Sequence, residues 1–170
     1  MNLNKNVVLL GMMGSGKSTI GYLLSKSINC KFFDIDKIIE RETGLKINTI
    51  FEKRGEEYFR IIEEKVTLRL LRDKGKIISL GGGGFLNNII RREILKNNLS
   101  FWLNWKNSTL IKRIYKSKKR PIAFRMNEND LKKLINDRSK IYSKAKFKIN
   151  CENLTKNMIV KQIINLYEKN

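Results

Sequence analysis

The feature that most constrains the fold of this chain is the octapeptide GMMGSGKS at residues 11–18. It matches the phosphate-binding loop G-x-x-x-x-G-K-[ST] at every fixed position. An apolar run at 7–10 precedes it and a segment with helical spacing at 19–24 follows it, which is the strand–loop–helix order that such a loop requires. Glycines let the backbone approach phosphate oxygens closely, and the N-terminus of the next helix adds positive charge. The pattern predicts a nucleotide-binding α/β fold, with a plain glycine turn as the alternative.

Residue types within this loop predict individual roles. The Lys17 ammonium can reach the β- and γ-phosphates of a nucleotide, and the Ser18 hydroxyl can join the shell of Mg²⁺. We therefore expect ATP with Mg²⁺ as the ligand. The residues expected to contact it here are Gly14, Ser15, Gly16, Lys17, Ser18 and Thr19.

Composition limits the possible chemistry. With 170 residues, 41% of them hydrophobic, we expect a single domain over 1–170 with its own core. The chain has no histidine, which excludes Ser-His and zinc-hydrolase mechanisms and leaves a carboxylate, a lysine or water as the general base.

Cys30 and Cys151 lack metal-type spacing, so we expect free thiols in a cytoplasmic protein. We also expect a monomer with no signal peptide and no membrane segment.

The formal net charge of +20 raises the possibility of a nucleic-acid-binding protein. However, the lysines are spread along the chain and mixed with asparagine and isoleucine, as is typical of AT-rich coding sequence, and there is no basic tail. We therefore expect a solvated basic surface that favours anionic ligands such as ATP and carboxylates, with no specific nucleic acid as partner.

Short apolar runs alternate with longer amphipathic segments, a pattern typical of a parallel sheet covered by helices. Strands are predicted at about 6–10, 31–34, 76–80, 99–103 and 146–150. Helices are predicted at about 17–28, 35–43, 56–74, 87–97, 107–116, 128–144 and 155–168. Pro121, the single proline, follows a run of cations and should begin a loop of the kind that closes over a phosphate site.

Two carboxylates and a glycine run mark the ends of predicted strands. Asp34 and Asp36 follow the second strand, at the edge where ligands bind in open α/β sheets. Asp34 could support Mg²⁺ through water and Asp36 could meet the acceptor, or either could cap the following helix. Glycines 81–84 end the third strand and indicate a surface that a ligand approaches closely, with a flexible turn as the alternative.

Arg60 allows two interpretations. Glu56 and Glu64 lie one helical turn away on either side, which predicts a surface ion-pair ladder. Its planar guanidinium is also suited to grip a carboxylate ligand by two parallel hydrogen bonds. The spacing alone does not decide between them.

Taken together, these segments resemble the shikimate kinase family. The matching stretches run in order from about Asn6 to Tyr142 and are GMMGSGKSTIG, FFDIDKIIERETG, IFEKRGEEYFRIIE, SLGGGG, KRP and DRSKIY. The first is shared by many kinases, whereas D-x-D followed by R-x-T-G, and G-E-x-x-F-R-x-x-E, are far more specific. The resemblance implies five parallel strands in order 2-3-1-4-5, an acceptor-binding region at about 34–62 and a lid at about 115–127.

The resemblance also implies how the acceptor would be bound. Asp36 would hydrogen-bond the acceptor hydroxyls and could take the proton, while Arg60 and Arg138 would grip the shikimate carboxylate. The pocket would be lined by Phe51, Phe59, Gly81, Gly82 and Gly83.

On the nucleotide side, the resemblance implies that Asp34 supports Mg²⁺ beside Ser18 and that Arg113 lies near the adenine. Arg120, just before the proline, would be a lid arginine that stabilises charge on the transferring phosphate. Lys17, Asp36 and Arg120 would be the catalytic residues.

The implied activity is ATP-dependent phosphorylation of shikimate to shikimate 3-phosphate, in aromatic amino-acid biosynthesis. Three alternatives stay open: a kinase of the same fold for gluconate or a nucleoside monophosphate, a P-loop protein that acts on nucleic acid, and a paralogue that binds nucleotide without catalysis.

Overall fold

A five-stranded parallel sheet in the order β2-β3-β1-β4-β5 forms the centre of the computed structural model, which describes residues 3–116 and 126–170. The strands are β1 (Val7–Leu10), β2 (Lys31–Asp34), β3 (Lys76–Ser79), β4 (Leu99–Asn104) and β5 (Phe147–Asn150). Every pairing between neighbouring strands is parallel. The predicted strand order and strand positions are confirmed.

Seven α-helices connect and flank these strands within the described residues. They are α1 (Lys17–Ile28), α2 (Ile35–Thr43), α3 (Ile47–Leu71), α4 (Asn88–Asn97), α5 (Asn107–Lys116), α6 (Glu128–Tyr142) and α7 (Lys156–Glu168). A short 3₁₀ turn at Gly84–Leu86 precedes α4. No helix in the described ranges combines the length and the apolar character that crossing a membrane requires.

The helices bury the two faces of the sheet in separate hydrophobic clusters. Side chains alternate along β1, so that Val7 and Leu9 pack with α1 and α7, while Val8 and Leu10 pack with α2 to α6. All four residues are at most 1% exposed, as expected for a central parallel strand that is covered on both sides.

The helix predicted at about 56–74 is found, but it ends earlier and a helical segment that was not predicted precedes it. In the structure α3 spans Ile47–Leu71 and is interrupted at Gly55. Gly55 has φ 82 and ψ 172, a non-helical backbone conformation that favours glycine. The glycine therefore separates a first helical segment, 47–54, from a second one, 56–71, whose start agrees with the prediction. Smaller differences occur at α6, which ends at Tyr142 and not at 144.

Both cysteines are free thiols, as predicted. Cys151 is buried in the cluster beneath α7, and Cys30 is half-buried near the end of α1.

Candidate active site

The P-loop connects β1 to α1 at the carboxyl edge of the sheet. Gly11, Gly14 and Gly16 adopt positive φ angles of 140°, 80° and 89°, which bend the backbone around a concave surface. Gly16 is the N-cap of α1 and offers no side-chain cap, and helix N-termini of this kind provide backbone N–H groups that can bind anions. The Lys17 Nζ folds back and donates to the carbonyls of Gly11 (2.9 Å) and Met12 (3.2 Å).

A cavity of about 190 Å³ lies between this loop and the ends of β2 and β3. Its lining contains most of the predicted phosphate residues together with both aspartates: Gly14, Gly16, Lys17, Ser18, Thr19, Asp34, Asp36, Ser79 and Leu80. A lysine, a hydroxyl and two carboxylates thus face one small volume, a combination suited to a phosphate chain with a hard cation.

Asp34 caps the following helix and also lines the cavity, while its predicted role with Mg²⁺ stays a prediction. Its Oδ1 accepts a hydrogen bond from the Lys37 backbone N–H at 3.3 Å and caps α2. The residue also lines the cavity beside Ser18. Among the described residues, no group of three or more histidine, cysteine, aspartate or glutamate side chains could hold a metal ion alone. The two oxygen donors fit Mg²⁺, which proteins commonly hold by one or two side chains plus substrate phosphates.

The glycine run after β3 brings three predicted acceptor residues together. A Cβ on Gly81 would lie 2.8 Å from Oδ1 of Asp36, and a Cβ on Gly83 would lie 2.6 Å from Nη2 of Arg60. These positions therefore exclude any side chain while the two charged groups keep their places. Close approach of neighbouring side chains therefore accounts for glycine at two positions of the run, Gly81 and Gly83.

Arg138 reaches the same run from α6. Its Nη1 donates to the Gly82 carbonyl at 3.5 Å, and its Nε is buried without a hydrogen-bond partner in the described part of the chain. Tyr142, one turn further along α6, donates its hydroxyl to the same carbonyl. Burial raises the pKa of Tyr142 to about 12, so the tyrosine is a neutral donor at physiological pH.

Arg60 is ion-paired with one of its two predicted partners, Glu56, and with a second glutamate that was not predicted. Its Nη2 lies 2.8 Å from Glu56, whereas its Nη1 pairs with Glu63 at 2.6 Å. The predicted partner Glu64 instead accepts from Asn87 at the start of α4 (2.6 Å), because that side of α3 faces α4. Burial alone would lower the pKa of Arg60, but attraction and hydrogen bonds from the two glutamates raise it. Arg60 is therefore a fixed cation.

Glu63, at the junction of Arg60 with the glycine run, is one of the residues that sequence reasoning missed. It is only 1% exposed, and its Oε1 has no hydrogen-bond partner among the described residues. Burial raises the pKa of Glu63, with a further rise from Asp36, while Arg60 and Arg138 partly offset it. The signal was present, because Glu63 is the last residue of the G-E-x-x-F-R-x-x-E segment, one turn after Arg60.

The predicted aromatic wall adjoins Arg60. The rings of Phe51 and Phe59 lie 4.8 Å apart, and the guanidinium of Arg60 lies 5.1 Å from the Phe59 ring. Phe59 is 4% exposed and belongs mainly to the core.

A second cavity, of about 520 Å³, lies at the P-loop between α1, α5 and the start of α7. Gly16 and Thr19 line both cavities, so the two volumes meet at the phosphate-binding loop. Arg113 lines the second cavity, and its predicted place near the base of a nucleotide stays a prediction. Sequence reasoning missed the other lining residues, which carry no motif: Trp105, Leu154, Thr155, Lys156 and Ile159.

Arg120 and most of the predicted lid lie outside the described residues. The positions that are described thus form two adjoining cavities, one with carboxylates and phosphate-type donors and one with mostly apolar walls.

Comparison with known proteins shows that the chain is similar to shikimate kinases. The family model for shikimate kinase matches residues 13–168. A shikimate kinase of Sulfurihydrogenibium sp. (strain YO3AOP1) is 39% identical over 94% of this chain and 96% of its own length.

Solved structures extend the similarity to the fold. The shikimate kinase from Acinetobacter baumannii in complex with shikimate superposes with a TM-score of 0.90 at 30% identity, covering 97% of this chain and 93% of its own. The shikimate kinase from Aquifex aeolicus gives 0.83 at 34% identity, covering 96% of each chain.

Proposed function

Because the chain belongs to the shikimate kinase family, we propose that it transfers the γ-phosphoryl group of ATP to the 3-hydroxyl of shikimate, in aromatic amino-acid biosynthesis. One observation carries the assignment to particular residues. The P-loop cavity and the junction of Asp36, Arg60 and Arg138 with the glycine run lie side by side at one edge of the sheet.

The nucleotide is proposed to bind with its phosphates on the P-loop and its base in the larger cavity. Loop amides and Lys17 would neutralise the phosphate chain. Ser18 and Asp34 would hold Mg²⁺, directly or through water, and the metal when bound would offset charge on the β- and γ-phosphates. Arg113 would lie beside the base.

The acceptor is proposed to bind across the glycine run. Arg60 and Arg138 present two guanidinium groups for one carboxylate, a recognition that fixes both position and orientation. Asp36, on the side of Gly81 towards the P-loop cavity, would orient the hydroxyl and hold its proton during transfer. Phe51 and Phe59 would wall the ring, while Gly82 and Gly83 would offer backbone contacts.

Catalysis in this arrangement comes from positioning and charge. Holding the hydroxyl in line with the γ-phosphate makes the step effectively unimolecular. Preorganised cations then stabilise the charge of the transition state, and each such contact is typically worth about 3–4 kcal/mol. Lys17 would supply one contact, and Arg120 from the lid another. Both would act with Asp36 as the catalytic groups.

The proposal extends to the organisation of the protein. We expect one kinase domain over 1–170 that works as a cytoplasmic monomer, with an acceptor-binding region at about 34–62 and a lid at about 115–127. Within the described residues, the acceptor-binding region corresponds to α2 and the first part of α3.

A coupled ADP-release assay tests the substrate. Shikimate, quinate, gluconate and nucleoside monophosphates would each be offered with Mg-ATP to the purified protein. Turnover with shikimate at a kcat/KM at least about a hundredfold above the others is expected, since a site that pairs buried polar groups with its substrate rejects analogues strongly. Preference for gluconate or a nucleotide would overturn the assignment.

We also propose that the net positive charge of the protein reflects its amino-acid composition and does not mark a nucleic-acid-binding site. DNA or RNA binding should then be weak, independent of sequence and lost near about 0.15 M salt. Tight, sequence-dependent binding at that salt, without turnover of small molecules, would favour a nucleic-acid function instead.

A further inference from the structure

Trp105 makes two contacts that join β4 to the P-loop and to α5. Its indole Nε1 donates to the Ser15 carbonyl inside the P-loop at 3.0 Å. Its ring lies beneath the guanidinium of Arg113, with Cζ 3.7 Å from the ring centroid. Trp105 is half-buried and packs against both hydrophobic clusters, so the ring is held from several sides.

The distance between the Arg113 cation and the Trp105 ring is shorter than in the other cation–ring pairs of the described residues. In the other six pairs of a lysine or arginine with an aromatic ring in the described ranges, the cation lies 5.0–5.9 Å from the centroid. At 3.7 Å the guanidinium carbon is in van der Waals contact with the indole ring, and Nη1 of Arg113 also approaches the Gly14 carbonyl at 3.5 Å. The ring and the P-loop thus hold the Arg113 guanidinium from two sides.

A planar guanidinium that covers an aromatic ring with one face presents the other face to a second planar group. Trp105 and Arg113 both line the larger cavity, whose other walls include Leu154, Thr155 and Ile159. The planar part of a nucleotide whose phosphates occupy the P-loop is its base.

We propose that Trp105 is a positioning residue of the nucleotide site. It holds the Arg113 guanidinium in the orientation that stacks on the base, and it thereby sets the affinity for the nucleoside part of ATP but not for the phosphates. This inference rests on the proposed function, because it requires that the larger cavity takes the base.

The inference is tested by measuring how substitutions of Trp105 change the binding of two ligands. Dissociation constants would be measured by calorimetry for ADP and for inorganic tripolyphosphate, which occupies the P-loop without a base. Trp105→Leu should weaken ADP binding about fivefold to thirtyfold, the range of a partly buried cation–π contact, and leave tripolyphosphate within about twofold. Trp105→Phe keeps an aromatic face and should lose less.

Tyr58→Leu is the matched control. Tyr58 lies under Arg54 at 5.9 Å, is 41% exposed and lines neither cavity. Both dissociation constants should stay at the wild-type value in this variant.

A double-mutant cycle separates positioning from general damage. In an Arg113→Ala background the Trp105 substitution should no longer weaken ADP binding, because no guanidinium remains to be held. If Trp105→Leu does not fold, Trp105→Phe in the same cycle gives the answer, since its smaller loss should also vanish without Arg113.

Two results would overturn the inference while the proposed function stands. One is wild-type ADP affinity in Trp105→Leu, and the other is an equal loss for ADP and tripolyphosphate, which would place the effect on the P-loop through Ser15. A wild-type protein that neither binds ADP nor phosphorylates shikimate would instead refute the proposed function itself.

Discussion

Removing the buried partner of Arg60 should cost far more stability than removing its exposed partner. Glu63 and Glu56 both pair with Arg60, at 2.6 and 2.8 Å, but the Glu63 side chain is 1% exposed and that of Glu56 is 65% exposed. A hydrogen bond to a charged group is worth about 1.5–3 kcal/mol, and the lost methylene adds about 0.8 kcal/mol. Arg60 is 30% exposed, so water partly replaces the missing partner. We therefore expect Glu63→Ala to lower the free energy of unfolding by about 2–3 kcal/mol.

Urea denaturation at pH 7 measures this difference. Glu56→Ala should cost less than about 1 kcal/mol, as exposed ion pairs do. Glu63→Gln keeps the shape and an acceptor for Arg60, and it should cost about 1 kcal/mol or less. Equal losses for the two alanine variants, or a Gln variant as unstable as the Ala variant, would refute the reasoning from burial.

Glu63 also determines the direction in which the stability of the protein changes with pH. Because burial raises the pKa of Glu63 in the folded state, the folded protein holds this proton more tightly than the unfolded chain. Its contribution to stability is therefore most favourable below the ordinary pKa of 4.5 and falls as the pH rises towards the folded value. The urea midpoint of the wild type should fall relative to that of Glu63→Gln across this window. If the difference between the two urea midpoints does not change with pH, the raised pKa of Glu63 is contradicted.

Three further predictions concern the ligand sites. Lys17→Ala should reduce kcat about a hundredfold or more in a steady-state assay, and near-normal turnover of the folded variant would reject the phosphate site. Gly83→Ala should displace the neighbouring guanidinium and weaken shikimate binding about tenfold or more without changing ADP affinity, as calorimetry would show. Arg120→Ala should lower kcat strongly while shikimate binding without nucleotide stays near wild type, and a collapse of that binding would move Arg120 into the acceptor pocket.

The fold could be predicted from the sequence because its strongest signals are local. The P-loop pattern indicated β1 and α1, and short segments with apolar residues between amphipathic stretches indicated the other strands. The course of α3 could not be predicted in the same way. A glycine such as Gly55 usually signals a break in a helix, and its non-helical φ and ψ do interrupt α3, but the sequence reading did not identify the helical segment from Ile47 that precedes it.

In the candidate site too, residues in local motifs could be predicted, whereas contacts that depend on tertiary packing could not. Residues in dense motifs, such as Asp36 and Arg60, both lie beside the glycine run, and their binding of the acceptor stays a prediction. One of the two predicted partners of Arg60 was wrong, Glu64 in place of Glu63, because i+3 and i+4 positions on a helix are equivalent in sequence, and the burial that selects Glu63 exists only after α3 packs. Trp105 gave no signal, since its importance depends on an arginine from another helix and a carbonyl from the P-loop.

The central claim is that the acceptor carboxylate binds where Arg60 meets the glycine run. Calorimetric titration of Arg60→Lys with shikimate and, separately, with ADP tests it most directly. Lysine keeps the charge but cannot form two parallel hydrogen bonds, so shikimate affinity should fall by about 1.5–3 kcal/mol, roughly tenfold to 150-fold, while ADP affinity stays near wild type. Wild-type affinity for shikimate in the folded Arg60→Lys protein would contradict the account and remove the acceptor from this junction.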